Sequence, residues 1–392
     1  MRSGRERQKI GLYVHIPYCR RKCLYCDFYS GGAGIAEWKG LVDALVAELR
    51  LRKDEVLKQE EGDLKRSFDT VYIGGGTPSL MPSDQLRRLV ETIRNETGVS
   101  AGNDEFTIET NPEDVTRENL AVWRDVGINR LSIGVQTFDD RELKAIGRQH
   151  DSDRSRMAVE AARYFFDNIS IDLMYGLPGQ SMESWVRNVD EAIQLGPQHI
   201  SAYSLMYENG TALTHLRDLG KIEEADEDTS VDMYMRLVEK LGKGGYEHYE
   251  ISNFSLPGRR ARHNSLYWDG SPYLGLGPSA HSYDGMRRRR WNAPDLKGYI
   301  SNYTGISPVC FYEEEILSDD ELREETVLSG MRTADGITGD DYRKAYGDRA
   351  WEELISKAGK YLKSGDLIYV NGRLRLTEKG VMISDDIILS LA

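Results

Sequence analysis

The chain is poor in cysteine, with four in 392 residues, and has no apolar run near the ~20 residues that a membrane-spanning helix requires. Three of the four lie within eight residues, too crowded to be there for bridges. Basic residues are also in the minority. Lys and Arg number 51 against 64 Asp and Glu, a net charge of −13, which argues against general binding to nucleic acid. No apolar leader stands at the start. Residues 1–9 are charged and run directly into an expected strand, so cytoplasm is the expected compartment. At roughly 100–200 residues per domain, the length implies two or three domains.

The cysteine that is present lies together. Cys19, Cys23 and Cys26 form a C-x3-C-x2-C loop, and only Cys310 lies elsewhere, where it reads as a small core thiol. Thiolates this close hold soft metal. Three of them suit a [4Fe–4S] cube whose fourth iron stays open to a ligand. A three-thiolate zinc site completed by His or Asp is the alternative, although no second cysteine knuckle is present.

Strands are expected at 11–17, 69–73, 105–108, 130–135, 169–174 and 199–205. Helices are expected between them at 38–60, 84–95, 116–125, 139–166 and 182–195, with Ser83 capping the second. Six β-then-α units imply an α/β fold with a parallel sheet, either open and doubly wound or closed towards a barrel. The unusual residues fall at the strand ends: the cysteines, Gly74-Gly75-Gly76-Thr77, Glu109 with Asn111, Gln136, and Gly176-Leu177-Pro178-Gly179. In parallel α/β folds these ends share one face, where the chemistry sits.

The cysteine loop, the Gly-Gly-Gly-Thr-Pro turn at 74–78, Glu-Thr-Asn-Pro at 109–112, Gly-Val-Gln-Thr-Phe at 134–138, Gly-Arg-Gln-His at 147–150 and Asp-Leu-Met-Tyr-Gly-Leu-Pro-Gly-Gln at 172–180 together resemble the radical S-adenosylmethionine (SAM) enzymes. More narrowly, the chain is similar to the oxygen-independent coproporphyrinogen III oxidases (HemN) and the related haem chaperones (HemW). This resemblance implies a partial (β/α)6 TIM-type barrel with SAM chelating the open iron. It implies Cys19, Cys23 and Cys26 as cluster ligands, with Tyr13 and Tyr25 lining the cluster and SAM. Gly75, Gly76 and Thr77 would receive the methionyl amine with Glu109 beside them, Arg148 the carboxylate, and Gln136 and Asp172 the ribose. A zwitterionic head wants one carboxylate and one guanidinium, which agrees.

Two departures count against the oxidase. Phe28 stands where the oxidases have a fourth cysteine, and only 18 residues precede Cys19 where they carry a longer extension. The stretch His263-Asn264-Ser265-Leu266-Tyr267-Trp268 matches the His-Asn-x-x-Tyr-Trp motif of the chaperones. The match implies His263 as a haem-iron ligand, with Asn264, Tyr267 and Trp268 around the macrocycle. His281 is a second candidate ligand. The basic run 287–290 reads as a solvated loop, with contact to haem carboxylates as the sharper option.

Further on, Ser318 with Glu321 forms a capping box opening a helix, helices follow at 339–346 and 349–364, and 367–376 reads as a hairpin on Asn371-Gly372. This order suggests a winged-helix-like α+β module. With acidic residues in excess, docking fits it better than DNA binding. The expected domains are a radical SAM core at 1–245, an extension carrying the haem motif at 246–310 and a C-terminal domain at 311–392. The function expected is a haem chaperone with a [4Fe–4S] cluster, SAM and haem, served by an electron donor and by haem-accepting proteins. The alternative is radical decarboxylation of coproporphyrinogen III. The sequence leaves open a homodimer, a transient acceptor at the membrane and productive SAM cleavage.

Overall fold

Each of the six apolar segments forms a strand, and the six pair in parallel, in order, within one sheet. The computed structural model describes residues 8–32, 37–58, 66–100 and 102–392. Most of the charged start and the end of the first helix expected at Glu60 lie outside the described residues. The strands are β1 (Gln8–Ile16), β2 (Arg66–Gly75), β3 (Glu105–Thr110), β4 (Arg130–Gln136), β5 (Ile169–Tyr175) and β6 (His199–Ser204). The crossovers are α1 (Trp38–Leu57), α2 (Ser83–Thr97), α3 (Arg117–Asp125), α4 (Asp140–Ala145) with α5 (Ser152–Arg163), and α6 (Met182–Leu195). The helical segments expected over 139–166 form as two helices, and the chain turns between them at Gly147, whose φ is +78°. Ser83 does not cap α2. It is the first helical residue, and Pro82 occupies the cap position with no side-chain hydrogen bond.

Alternation explains the layering. In β4, Leu131, Ile133 and Val135 join the apolar core under the helices, while Arg130, Ser132, Gly134 and Gln136 line a cavity on the other face. On α1, Leu41, Leu45 and Leu49 are fully buried, each stabilising by about 1.5–3 kcal/mol relative to exposure.

The chain then leaves the parallel core through α7 (Ala212–Asp218) and α8 (Glu227–Lys243). Strands β7 (Glu247–Glu250) and β8 (Asn253–Ser255) add to one edge of the sheet. Helix α9 (Arg262–Trp268) follows. Strands β9 (Tyr273–Leu276), β10 (His281–Tyr283), β11 (Arg288–Asn292) and β12 (Tyr312–Ile316), with α10 (Leu296–Tyr303) between the last two, extend the other edge from β1. The result is an open twelve-stranded sheet in the order β12-β11-β10-β9-β1-β2-β3-β4-β5-β6-β8-β7.

The run at 287–290 is therefore not a loop. Arg288 to Arg290 lie on β11 opposite the acidic β12, with Arg288 to Glu314 at 3.1 Å and Arg290 to Glu55 at 2.6 Å. Their charge is spent on carboxylates of this chain. Cys310 is exposed rather than in the core, because it sits on the connection just before β12.

A buried polar knot joins this edge to α1. Glu48 accepts from Arg52 at 2.6 Å, Asn292 at 2.7 Å, Tyr299 at 2.5 Å and the Gly277 N–H at 2.9 Å. Glu48→Ala leaves Arg52 buried without its main partner and is expected to cost about 3–5 kcal/mol. Denaturant unfolding of the variant would check this, and a loss under 1 kcal/mol would count against it.

Last comes a small α+β domain with its own apolar core: α11 (Asp319–Met331), β13 (Ile337–Thr338), α12 (Gly339–Tyr346), α13 (Asp348–Ser364), and the hairpin β14 (Leu367–Val370) and β15 (Arg373–Leu376). The Ser318–Glu321 capping box is formed. Asn371 and Gly372 both have positive φ, as a two-residue type I′ turn requires. This domain meets the sheet edge through Arg332, which pairs with Glu250 at 3.0 Å, and through the Ile251 and Ala334 N–H groups bonding across the junction. Among the described residues no helix is long and apolar enough to cross a membrane.

Candidate functional site

The C-terminal ends of β1 to β6 converge on a cavity of about 390 Å³. Its walls carry Cys19, Cys23, Cys26, Tyr25, Gly75, Gly76, Thr77, Glu109, Asn111, Gln136, Arg148 and Asp172. One predicted residue is missing. Tyr13 faces the lumen lower down, with its hydroxyl 3.0 Å from His15 Nδ1.

The cysteine loop is held by local pairing. Tyr18–Cys19 pairs in parallel with Gly31–Gly32, and the Leu24 N–H donates to the Ile146 carbonyl at 3.2 Å. Gly76 packs against the loop, and a Cβ added to it would lie 2.6 Å from the Tyr18 carbonyl oxygen and 3.0 Å from Cys19 Sγ. Gly75 has φ +108°, a conformation open to glycine.

The Gly75, Gly76 and Thr77 N–H groups donate to Glu109 Oε2, the Ile16 carbonyl and the Tyr18 carbonyl. What this corner can offer an ammonium is the Glu109 carboxyl. Burial raises it to about 7, against the Tyr72 hydroxyl that donates to it at 2.7 Å. Asp172 accepts from Ser132 Oγ at 3.3 Å, and burial raises it to about 6 against the pull of Arg130. Arg148 donates to Asn111 Oδ1 at 2.7 Å and to the Gly134 carbonyl, while its buried Nε has no partner. A buried N–H without an acceptor is uncommon and fits an incoming carboxylate. Gln136, at φ +69°, is one of few non-glycine residues in the left-handed region, which places strain at the wall of the cavity.

Below lies a second cavity of about 250 Å³, lined by Tyr13, Glu250, Asn253, His263, Asn264, Tyr267, Trp268 and Arg332. It shares Tyr72, Glu109, Tyr203 and Asn264 with the upper one. The motif residues are helical. They form α9, which closes the lower end of the lumen and whose first N–H groups are capped by Glu105 from β3 at 2.9 and 3.0 Å. His263 is only 1 % exposed. Its Nδ1 meets Thr70 Oγ1 and its Nε2 meets Tyr267 OH, each at 2.8 Å, and the ring stacks on Tyr72 at 5.2 Å. Burial lowers its pKa to about 3, so the imidazole is neutral in the physiological range. Trp268 lies under the Arg332 guanidinium at 4.9 Å. His281 lines neither cavity. It is on β10 beside Trp291.

The sequence reading had passed over Tyr72, Arg130, Ser201 and Tyr203, all of which line the lumen. The signal for Arg130 was present, since the period-two alternation of β4 puts it on the face of Gln136.

Comparison with known proteins shows the family and the fold. The model of the radical SAM superfamily matches residues 13–192, and that of the HemN C-terminal domain matches 317–383. The haem chaperone HemW of Lactococcus lactis is 34 % identical over 379 residues, covering 96 % of this chain and 95 % of its own. That of Bacillus subtilis is 33 % identical over 377 residues, covering 96 % and 97 %. That of Mycobacterium tuberculosis is 35 % identical over 392 residues, covering 98 % and 95 %. Among solved structures, the coproporphyrinogen III oxidase HemN from Escherichia coli, a radical SAM enzyme, superposes with a TM-score of 0.81 at 22 % identity over 98 % of this chain and 90 % of that one. At that identity the likeness shows the fold alone.

Proposed function

The chain belongs to the HemW family of radical SAM haem chaperones, and from that membership we propose that it binds haem beside its SAM site and passes it to acceptor proteins. The superfamily is built on a [4Fe–4S] cluster and SAM. In this reading Cys19, Cys23 and Cys26 hold three corners of the cluster, and an electron donor serves it. When bound, cluster and SAM supply one-electron chemistry. The protein's part is to bind, orient and exclude water. Arg148, with its unpartnered Nε, takes the SAM carboxylate. Glu109 beside the turn at 75–77 takes the ammonium, Gln136 and Asp172 the ribose, and Tyr25 packs at the rim. Tyr13 belongs with the lower cavity. In this reading the SAM-binding core is residues 1–245 and the haem motif lies in 246–310, while of 311–392 the part from α11 onward is the docking domain, since β12 belongs to the main sheet.

The observation that carries the haem reading is the placement of the motif. It sits at the foot of the lumen, with a neutral imidazole in a cavity adjoining the cysteine site. Neutral imidazole is the form that ligates haem iron. Tyr267 must yield Nε2 for this, while Thr70 keeps the ring oriented through Nδ1. The oxidase alternative loses its extra thiol, because Phe28, 62 % exposed at the cavity mouth, occupies that position. The test is anaerobic reconstitution, then haem titration in parallel with coproporphyrinogen III turnover. A Soret band without decarboxylated product is expected.

Two further results are expected at the SAM head. Arg148→Ala removes a charge-assisted pair and should weaken SAM by about 1.5–3 kcal/mol, tenfold or more, with cluster content unchanged. Calorimetry that finds equal affinity would refute this assignment. For Glu109 the sign follows from its pKa near 7. Below that pH the carboxyl is neutral and cannot pair with an ammonium, so SAM affinity should rise towards pH 7 and level off above it. The slope should approach tenfold per pH unit on the acid side, and Glu109→Gln should flatten it.

A further inference from the structure

Among the described residues two large cations, Arg52 and Arg130, are almost wholly buried, and they are treated differently. Arg52 has Glu48, Glu55, Ser282 and the Gly275 carbonyl around it. Arg130 is also 1 % exposed and lines the upper cavity. Its Nε has no partner, and it forms no ion pair within 4 Å and no side-chain hydrogen bond among the described residues. Arginine does not shed its charge, so a buried guanidinium wants an anion. Asp172 and Glu109 feel its charge without pairing with it, and both are committed to SAM in the reading above. Nor does SAM complete Arg130. SAM brings one carboxylate, and Arg148 stands at the cluster end of the cavity to take it.

A second anion must come from a second ligand. Arg130 shares its cavity with Asn264, the motif residue that lines both chambers, so a ligand held at the motif reaches the same space. We propose that Arg130 receives a carboxylate of the tetrapyrrole held at the His263 motif, an anion site in the lumen separate from the SAM carboxylate site at Arg148. This inference rests on the haem reading and adds what grips the carboxylate edge of the ligand. A guanidinium suits that task, since its parallel N–H donors match a carboxylate.

The test compares haem with haem dimethyl ester, which keeps the iron and ring and lacks the carboxylates. Both are titrated into the reconstituted, SAM-loaded protein and followed by the Soret band. The wild type is expected to bind haem at least tenfold more tightly than the ester. Arg130→Gln should bind haem about as weakly as the ester and lose the preference, and Arg130→Lys should retain part of it. Iron content and SAM affinity report whether each variant is folded, and the wild-type comparison stands without them. Equal wild-type affinity for haem and ester overturns the site while leaving the haem reading in place. A preference undiminished in Arg130→Gln overturns it as well, since the carboxylate is then held elsewhere. A wild type that binds neither compound refutes the haem reading and this site together.

Discussion

Replacing any one of Cys19, Cys23 or Cys26 by alanine is expected to abolish a stable [4Fe–4S] cluster, while Cys310→Ala leaves it intact. The three thiols line one cavity, and the loop bearing them is pinned by the short ladder at Tyr18–Cys19 and Gly31–Gly32. With only three protein ligands, a cube that loses one keeps two, too few to hold it against exchange. Burial pushes the Cys26 thiol up to about 11, so ligation must also displace a proton, and assembly should weaken as the pH falls. Cys310 is exposed, 3.9 Å from Glu55 and away from the cavity wall. Iron and sulfide analysis after anaerobic reconstitution checks this, with about four of each per wild-type chain. A cluster that survives loss of one loop cysteine, or that needs Cys310, would overturn the ligand assignment.

How much of this was legible follows from the range of the forces involved. The parallel sheet and the position of its mouth were readable because strand, turn and helix signals are local, and chemistry-bearing residues end successive strands. The Asn371-Gly372 turn and the Ser318 cap were legible for the same reason. Partnership across the fold was not. The basic run at 287–290 looks solvated until β12 is seen to bring Glu314 and Glu315 opposite it. Glu48 and Arg52 look like an ordinary i, i+4 surface pair, yet α10 and β11 bury them. His263 looks like a loop residue because its helix is short and capped from elsewhere, by Glu105 some 158 residues away. Arg130 was within reach of alternation alone. Its lack of a partner was not, since only the assembled lumen shows that, among the described residues, no carboxylate lies within 4 Å of it.

His263→Ala is expected to lose or strongly alter the haem spectrum, and His281→Ala to leave it unchanged. Imidazole is a strong iron ligand, whereas Tyr267, the other motif side chain able to ligate iron, could do so only as a phenolate, and burial holds its hydroxyl well above the usual phenol range. Its low pKa keeps it unprotonated at neutral pH, so iron need not compete with a proton. The variant should still fold. Glu105 caps α9 through backbone N–H groups that alanine retains, and what is lost is the stack on Tyr72 and two hydrogen bonds. Asn264→Ala should act more weakly, because it lines the chamber without touching iron in this reading. The spectra are to be read beside coproporphyrinogen III turnover under reducing, oxygen-free conditions, where no product is expected from the wild type. A spectrum that survives His263→Ala and fails in His281→Ala would move the ligand to β10 and leave the function standing. Conversion of coproporphyrinogen at rates of order 1–10³ per second, the ordinary range for enzymes, would replace the chaperone by the oxidase. The exposed Phe28 would then need a different explanation, since the cavity mouth would be working without the extra thiol.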